Sequence, residues 1–313
     1  MRLFVTRRLP QRVMERARDM GADLHDSDEV LDADALRAAL RDYDAILCTI
    51  GDRFDADLFA TDVRTKLLAN FGVGYNHIDV EAARAAGVTV TNTPGVLTDA
   101  TADLAMTLML MVLRRAGEGE RMVRAGDWSG WTPTQMLGRG VTGRTLGIVG
   151  MGRIGQAMAA RAHHGFGMEI VYYNRSAKDL PFPARRLDTV EAVAAGSDVV
   201  ALHVPAGPET RHIFGAHAIA SMRPEGVLVN TARGDVLDET ALIAALQEGR
   251  IGGAGLDVYE NEPTVPNALR ALENVVLLPH LGSATLEVRE AMGMMALDNV
   301  AAHVEGRDLP NPV

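Results

Sequence analysis

The sequence predicts an α/β protein with two doubly wound parallel sheets, and three observations lead there. Short apolar, β-rich runs alternate with helical patterns along most of the chain, the arrangement that builds parallel sheets covered by helices. Its 313 residues suffice for about two domains of ordinary size. The alternation also restarts at Thr145, after a stretch without periodicity.

In chain order, residues 3–6 read as a strand, 11–20 as a helix closed by Gly21, and 34–41 as a second helix. The apolar run 45–50 reads as a buried strand in which Cys48 acts as a small hydrophobe. Residues 66–70 form the next strand, 80–86 a helix capped by Asp79 and closed by Gly87, and 88–91 a strand ending near Pro94-Gly95. From Asp99 one long helical stretch runs to about Arg115 and on towards Arg124. The Gly-, Trp- and Pro-rich segment 126–143 follows, and a loop of that length usually carries function or docks on something. Strands are then expected at 146–149, 170–173, 199–203, 227–230, 254–257 and 275–278, with a final helix over 285–304.

Composition excludes several functions. Hydrophobic residues make up 47% and charged residues 23%, as in a globular protein with a substantial core. The net charge of -10 repels a phosphate backbone, which argues against nucleic acid as a partner. Lys66 and Lys178 are the only lysines, so Schiff-base chemistry has almost no candidates and basic function falls to arginine. A single cysteine forbids an internal disulfide and any cysteine-based metal cluster, and no metal site is expected. The first ten residues lack a signal-peptide pattern, and the longest apolar stretch, 104–113, is about half of what a bilayer span needs. A cytoplasmic protein with no membrane partner is expected.

Gly150, Gly152 and Gly155 follow a strand directly and open a helix at about Ile154. In that context small residues let backbone amides approach a pyrophosphate at a helix N-terminus, so a dinucleotide site is expected. The second strand of the unit ends in Asn174, Arg175 and Ser176, where an acidic residue would hold the two ribose hydroxyls of NAD. An arginine there suits a 2'-phosphate, and no carboxylate repels it, so NADP(H) is favoured over NAD(H). Three further patterns sit just after expected strands: 230–234 with Arg233, 257–263 with Glu262, and 279–285 with His280. The carboxyl ends of parallel strands form the ligand crevice, so these three side chains can converge. A histidine held by a carboxylate can protonate a developing alkoxide, and a guanidinium can hold a carboxylate while polarising the adjacent carbonyl. His280 backed by Glu262 and assisted by Arg233 fits the reduction of a 2-oxo acid by hydride transfer.

With these motifs, and with residues 72–79, 98–105 and 203–205, the sequence resembles the D-isomer-specific 2-hydroxyacid dehydrogenase family over almost its whole length. The resemblance implies a Rossmann dinucleotide-binding domain at 99–284, with a dimerisation arm at about 99–143. A discontinuous, flavodoxin-like substrate domain would span 1–98 and 285–313, with substrate in the cleft between the two. It further implies that the Val73 and Gly74 backbone receives the substrate carboxylate with Arg233 assisting. Thr101 and Asp257 would lie by the nicotinamide, Arg153 and Ile154 by the pyrophosphate, and His203, Val204, Pro205, Thr231, Ala232 and Gly282 along the cofactor. Trp131 falls where the glyoxylate and hydroxypyruvate reductase branch often delivers an aromatic residue across a homodimer interface into the neighbouring pocket, which suggests a small substrate. Two positions depart from the pattern: Asn76 stands where relatives often carry Asp, and Asn174 replaces the usual acidic residue.

Other readings stay open. Phosphite or another 2-hydroxy acid could be the substrate; formate dehydrogenases look similar in architecture too, but typically have Gln where this chain has Glu262, which argues against that branch. A non-enzymatic, dinucleotide-sensing scaffold like the corepressors of similar fold would explain the glycine fingerprint, yet gives no reason for a complete Arg, Glu and His set. Apart from His280 and His203, the histidines show no partner pattern, and His163-His164 are expected on a helix surface.

Overall fold

In the computed structural model, which describes residues 1–313, the chain forms two units: Met1–Leu97 with Ala284–Val313, and Thr98–Ser283. The first unit opens with β1 (Leu3–Val5), α1 (Gln11–Asp19), β2 (Asp23–Leu24), α2 (Ala33–Asp42) and β3 (Ala45–Thr49), and continues through α3 (Ala56–Phe59), β4 (Leu67–Phe71), α4 (Val80–Ala85) and β5 (Thr89–Thr91). All strands pair in parallel in the order β2-β1-β3-β4-β5. Every residue of β3 is buried because both faces are covered, so Ala45 to Cys48 are apolar in succession rather than alternating, with Thr49 closing the strand. Asp32 and Asp79 cap α2 and α4 by accepting from amides three residues on, which satisfies donors the helices leave orphaned.

The second unit begins with α5 (Thr98–Leu113) and α6 (Ala116–Ala125), followed by β6 (Thr145–Val149), α7 (Arg153–Phe166), β7 (Glu169–Tyr173) and β8 (Arg185–Arg186). Next come α8 (Val190–Gly196), β9 (Val199–Leu202), α9 (Ala216–Ser221), β10 (Val227–Asn230), α10 (Glu239–Gln247), β11 (Gly253–Leu256), α11 (Asn267–Arg270) and β12 (Val275–Leu277). Seven parallel strands run in the order β12-β11-β10-β9-β6-β7-β8. The order reverses between β6 and β9, and that switch point is where an open α/β sheet binds its ligand. Last, α12 (Leu286–Val304) belongs to the first unit, where Gly293 lets it close on α1: a Cβ there would lie 2.5 Å from the Val13 side chain.

The single long helix expected from Asp99 towards Arg124 is instead two. Arg115 adopts φ 52, and the Leu113 carbonyl accepts from the Arg139 amide at 2.7 Å, so a loop crossing takes the acceptor that a continuing helix would use. Helix α5 packs on α7, β10 and β11 within its own unit, with Gly255 admitting Leu108. Met106, Leu108, Met109 and Leu113 are buried there, while Leu110, Met111 and Val112 are only partly covered. No helix is long and apolar enough to cross a membrane.

Candidate active site

The glycine fingerprint lies at the switch point. Gly150 turns out of β6 at φ 98, and a Cβ there would come within 2.7 Å of the His203 and Val204 backbone at the end of β9. Gly155 packs α7 against the turn, where a Cβ would sit 2.3 Å from the Gly150 carbonyl. Gly152 has open space around it and provides no side-chain cap for α7, so the helix N-terminus carrying Arg153 and Ile154 is presented to a ligand. This cradle fits a dinucleotide pyrophosphate, which needs close approach to backbone amides.

At the end of β7, Asn174 faces the fingerprint. Its Oδ1 accepts from the Met151 amide at 3.2 Å, and its Nδ2 donates to the Ser176 carbonyl at 2.9 Å. Arg175 projects outward with 87% of its side chain exposed, its one ion-pair partner being Glu209 at 3.5 Å. Beneath the loop, Arg186 of β8 donates to the carbonyls of Asn174 and Arg175 at 3.0 and 3.2 Å. This arginine goes unmarked in the sequence because a two-residue edge strand leaves no apolar run around it.

Arg233, Glu262 and His280 come together in the second unit. Asn230, fully buried at the end of β10, shapes the first turn by accepting from the Ala232 amide at 3.0 Å and donating to the Arg233 carbonyl at 2.8 Å. Thr231 beside it is buried, with its hydroxyl unpartnered. The half-buried Arg233 guanidinium donates to the Ala232 carbonyl at 2.6 Å. Burial lowers its pKa, while the charges of Glu262 and Asp235 support its charged form.

Asp257, buried after β11, accepts from the amides of Leu281 and Gly282 at 2.6 and 2.8 Å. The Thr101 hydroxyl donates to the Gly282 carbonyl at 3.0 Å, so Asp257 and Thr101 both fix the turn that carries His280. His280 sits in this turn at φ 55, a conformation few non-glycine residues adopt and one that needs such support. Burial raises the pKa of Asp257, an effect only partly offset by the two amides and the His280 charge.

His280 Nδ1 lies 2.8 Å from Glu262 Oε2, and the Tyr259 amide donates to Glu262 Oε1 at 3.0 Å. Burial alone would raise the Glu262 carboxyl, but the hydrogen bond and charge of His280, the Tyr259 amide and the Arg233 charge together leave it below its ordinary value of 4.5. With Glu262 ionised, Nδ1 must be the donor, and Nε2 is left to hold or release a proton. His203 differs: burial pulls its pKa down to about 4, so it is neutral, with Nε2 3.2 Å from the Met158 sulfur.

In the first unit, Val73 and Gly74 lie in the loop after β4. Asn70 Nδ2 donates to the Gly72 and Gly74 carbonyls at 3.1 and 3.0 Å, and Asn92 Nδ2 to the Val73 carbonyl at 2.9 Å. These bonds turn the loop's carbonyls inward; neither asparagine stood out in the sequence, since a polar residue ending a strand is common. Trp131 and Trp128 expose 78% and 53% of their surface and, with Val123 and Leu137, leave an apolar surface on α6 and the following loop.

The histidines without an expected partner include one that has one: His212 Nε2 contacts Glu260 Oε1. No spacing announces this pair, because His212 comes from the loop after β9 and Glu260 from the loop after β11. His163 is half-buried against Phe182 rather than simply on a helix surface, with Nδ1 3.2 Å from the Met168 carbonyl.

Residues 106–282 match the model of the D-isomer specific 2-hydroxyacid dehydrogenase, NAD binding domain. The chain is 44% identical to the glyoxylate reductase of Thermococcus litoralis over 322 aligned positions, covering 100% of this chain and 96% of that enzyme. Among solved structures, a Thermus thermophilus protein superposes with a TM-score of 0.92 at 43% identity, with both chains fully covered. The NADPH-dependent glyoxylate/hydroxypyruvate reductase of Sinorhizobium meliloti, solved with NADP and malonate, gives 0.89 at 37% identity over 100% of this chain and 96% of that one. A glycine cradle at the switch point, a His-Glu pair on the same sheet edge and full-length similarity to such reductases lead to one conclusion: the chain belongs to the D-isomer specific 2-hydroxyacid dehydrogenase family.

Proposed function

We propose that this protein is a cytoplasmic, homodimeric reductase that converts a small 2-oxo acid, glyoxylate or hydroxypyruvate first, to the 2-hydroxy acid with NADPH preferred over NADH. The observation that carries the reading is the His280-Glu262 pair, 2.8 Å apart and electrostatically coupled to Arg233. When bound, the dihydronicotinamide supplies the hydride. His280 Nε2 gives its proton to the carbonyl oxygen as negative charge builds there, and Glu262 holds the ring in place by Nδ1. Arg233 binds the substrate carboxylate and polarises the carbonyl; in the first unit, the amides of Val73 and Gly74 are suited to receive a carboxylate. Asp257 and Thr101, which fix the His280 turn, would border the nicotinamide.

Support for NADPH comes from the missing carboxylate at Asn174 and from the cationic surface of Arg175 and Arg186 around Ser176. The similar Sinorhizobium enzyme is itself NADPH-dependent. The exposed Trp131 and its apolar neighbours suit coverage by a second copy, which would narrow the pocket to small substrates. The test is initial-rate oxidation of NADPH and NADH with glyoxylate, hydroxypyruvate, pyruvate and 2-ketogluconate at neutral pH. Faster turnover with NADPH on the first two acceptors is expected; silence on all four despite cofactor binding would refute the reading.

A further inference from the structure

The loop that supplies Glu262 carries a second carboxylate, and it too meets a histidine. Glu262 contacts His280 and Glu260 contacts His212, and both histidines have positive φ, 55 and 48. Two such residues in one small region indicate a backbone held by its surroundings rather than by its own preference. The second pair reaches no ligand-facing group directly; its importance lies in what it joins.

The His212 amide donates to the Asp235 carbonyl at 2.8 Å, and two residues on the Phe214 amide donates to the Val236 carbonyl at 3.0 Å. His212 is thereby fixed by its backbone to the 3-10 turn Gly234–Val236 that follows Arg233. Its ring grips Glu260 in the other loop. Between the two loops there is no slack: a Cβ on Gly234 would fall 1.9 Å from the Tyr259 carbonyl carbon and 2.3 Å from the Glu260 amide nitrogen. Within the same short loop, the Tyr259 amide donates to Glu262 at 3.0 Å, so the fixed end of the loop and the carboxylate facing His280 are separated by only a few bonds.

We propose that His212 and Glu260 are positioning residues that clamp the Arg233 turn to the Glu262 loop, so that guanidinium, carboxylate and imidazole keep one arrangement. Neither touches the reacting atoms. Their action passes through Glu262 and Arg233, and the kinetic part of the test rests on the reductase reading above.

Glu260→Ala is expected to lower kcat about tenfold, the scale of a small misplacement of catalytic groups, while NADPH affinity stays within about twofold because the glycine cradle is untouched. Glu260→Gln, which still accepts from the imidazole, restores most of the loss; His212→Asn, compatible with the left-handed backbone but lacking the ring's reach, reproduces the Ala variant. In a Glu262→Gln background Glu260→Ala costs less than it does in the wild type, because one of the two groups it positions is already impaired. Hydrogen exchange at the Tyr259 amide, expected to accelerate in Glu260→Ala and not in Glu260→Gln, reads the clamp without substrate. Wild-type kcat in Glu260→Ala, or an equal loss in both backgrounds, overturns the proposal. If the wild-type protein reduces no 2-oxo acid, the reductase reading falls and the exchange measurement alone decides: unchanged Tyr259 protection overturns the clamp.

Discussion

At the centre of the candidate site, beyond the carboxyl ends of β11 and β12 in the seven-stranded sheet, Asp257 is buried and the His280 and Glu262 side chains are only 30% and 33% exposed, each held by hydrogen bonds from neighbouring turns. At its rim, after β7, Arg175 exposes 87% of its side chain and pairs with Glu209 across solvent. Both places bear charges suited to a ligand, but water screens one and not the other. Charge interactions are strong where water is excluded and contribute at most about 1 kcal/mol between exposed side chains. In the proposed reading the centre carries the chemistry and the rim the choice between cofactors.

If that contrast holds, the largest effect comes from the centre. Arg233→Ala is expected to lower kcat/KM for glyoxylate by about 100- to 1000-fold, the range for losing a preorganised donor at a developing charge, with NADPH affinity retained. A loss confined to KM would mean that Arg233 only binds substrate and leaves the carbonyl alone. Glu262→Gln should cost less, about ten- to a hundredfold in kcat, since the acid itself remains and only its support is weakened.

Glu262 also gives the contrast a pH signature. Its folded value lies below the ordinary 4.5, so the ionised carboxylate adds stability above pH 4.5, and that contribution is lost as pH falls through the folded value. Thermal melts should therefore show wild type above Glu262→Gln at about pH 6, with the gap closing below pH 4.5. A gap that widens on acidification would mean the carboxylate is destabilised where it sits. The rim should respond least. Arg175→Ala is expected to raise KM for NADPH about tenfold or less and leave NADH unaffected, and Asn174→Asp to improve NADH use. Equal losses with both cofactors would remove Arg175 from 2'-phosphate recognition.

The parts that the sequence made legible share a physical cause. Strands buried on both faces, such as β3 and β9, are continuous apolar runs, and the fingerprint shows itself because Gly150 and Gly155 allow no Cβ. Arg233, Glu262 and His280 could be singled out because each follows a strand whose end is easy to locate. What stayed hidden depends on contacts distant in sequence. The break at Arg115 follows from Arg139 taking the Leu113 carbonyl, and β2 and β8 are two-residue edges with no apolar pattern. His212 and Glu260, 48 positions apart, meet only once β9 and β11 are in register with β10 between them.

The central claim is that His280 supplies the proton, and it is tested most directly by His280→Gln. Steady-state turnover of glyoxylate with NADPH would be measured after confirming fold by circular dichroism and cofactor binding by fluorescence titration. A fall of at least about a hundredfold with NADPH affinity unchanged is predicted, the low end for general acid catalysis. Near-normal turnover in a folded, cofactor-binding variant would contradict the claim.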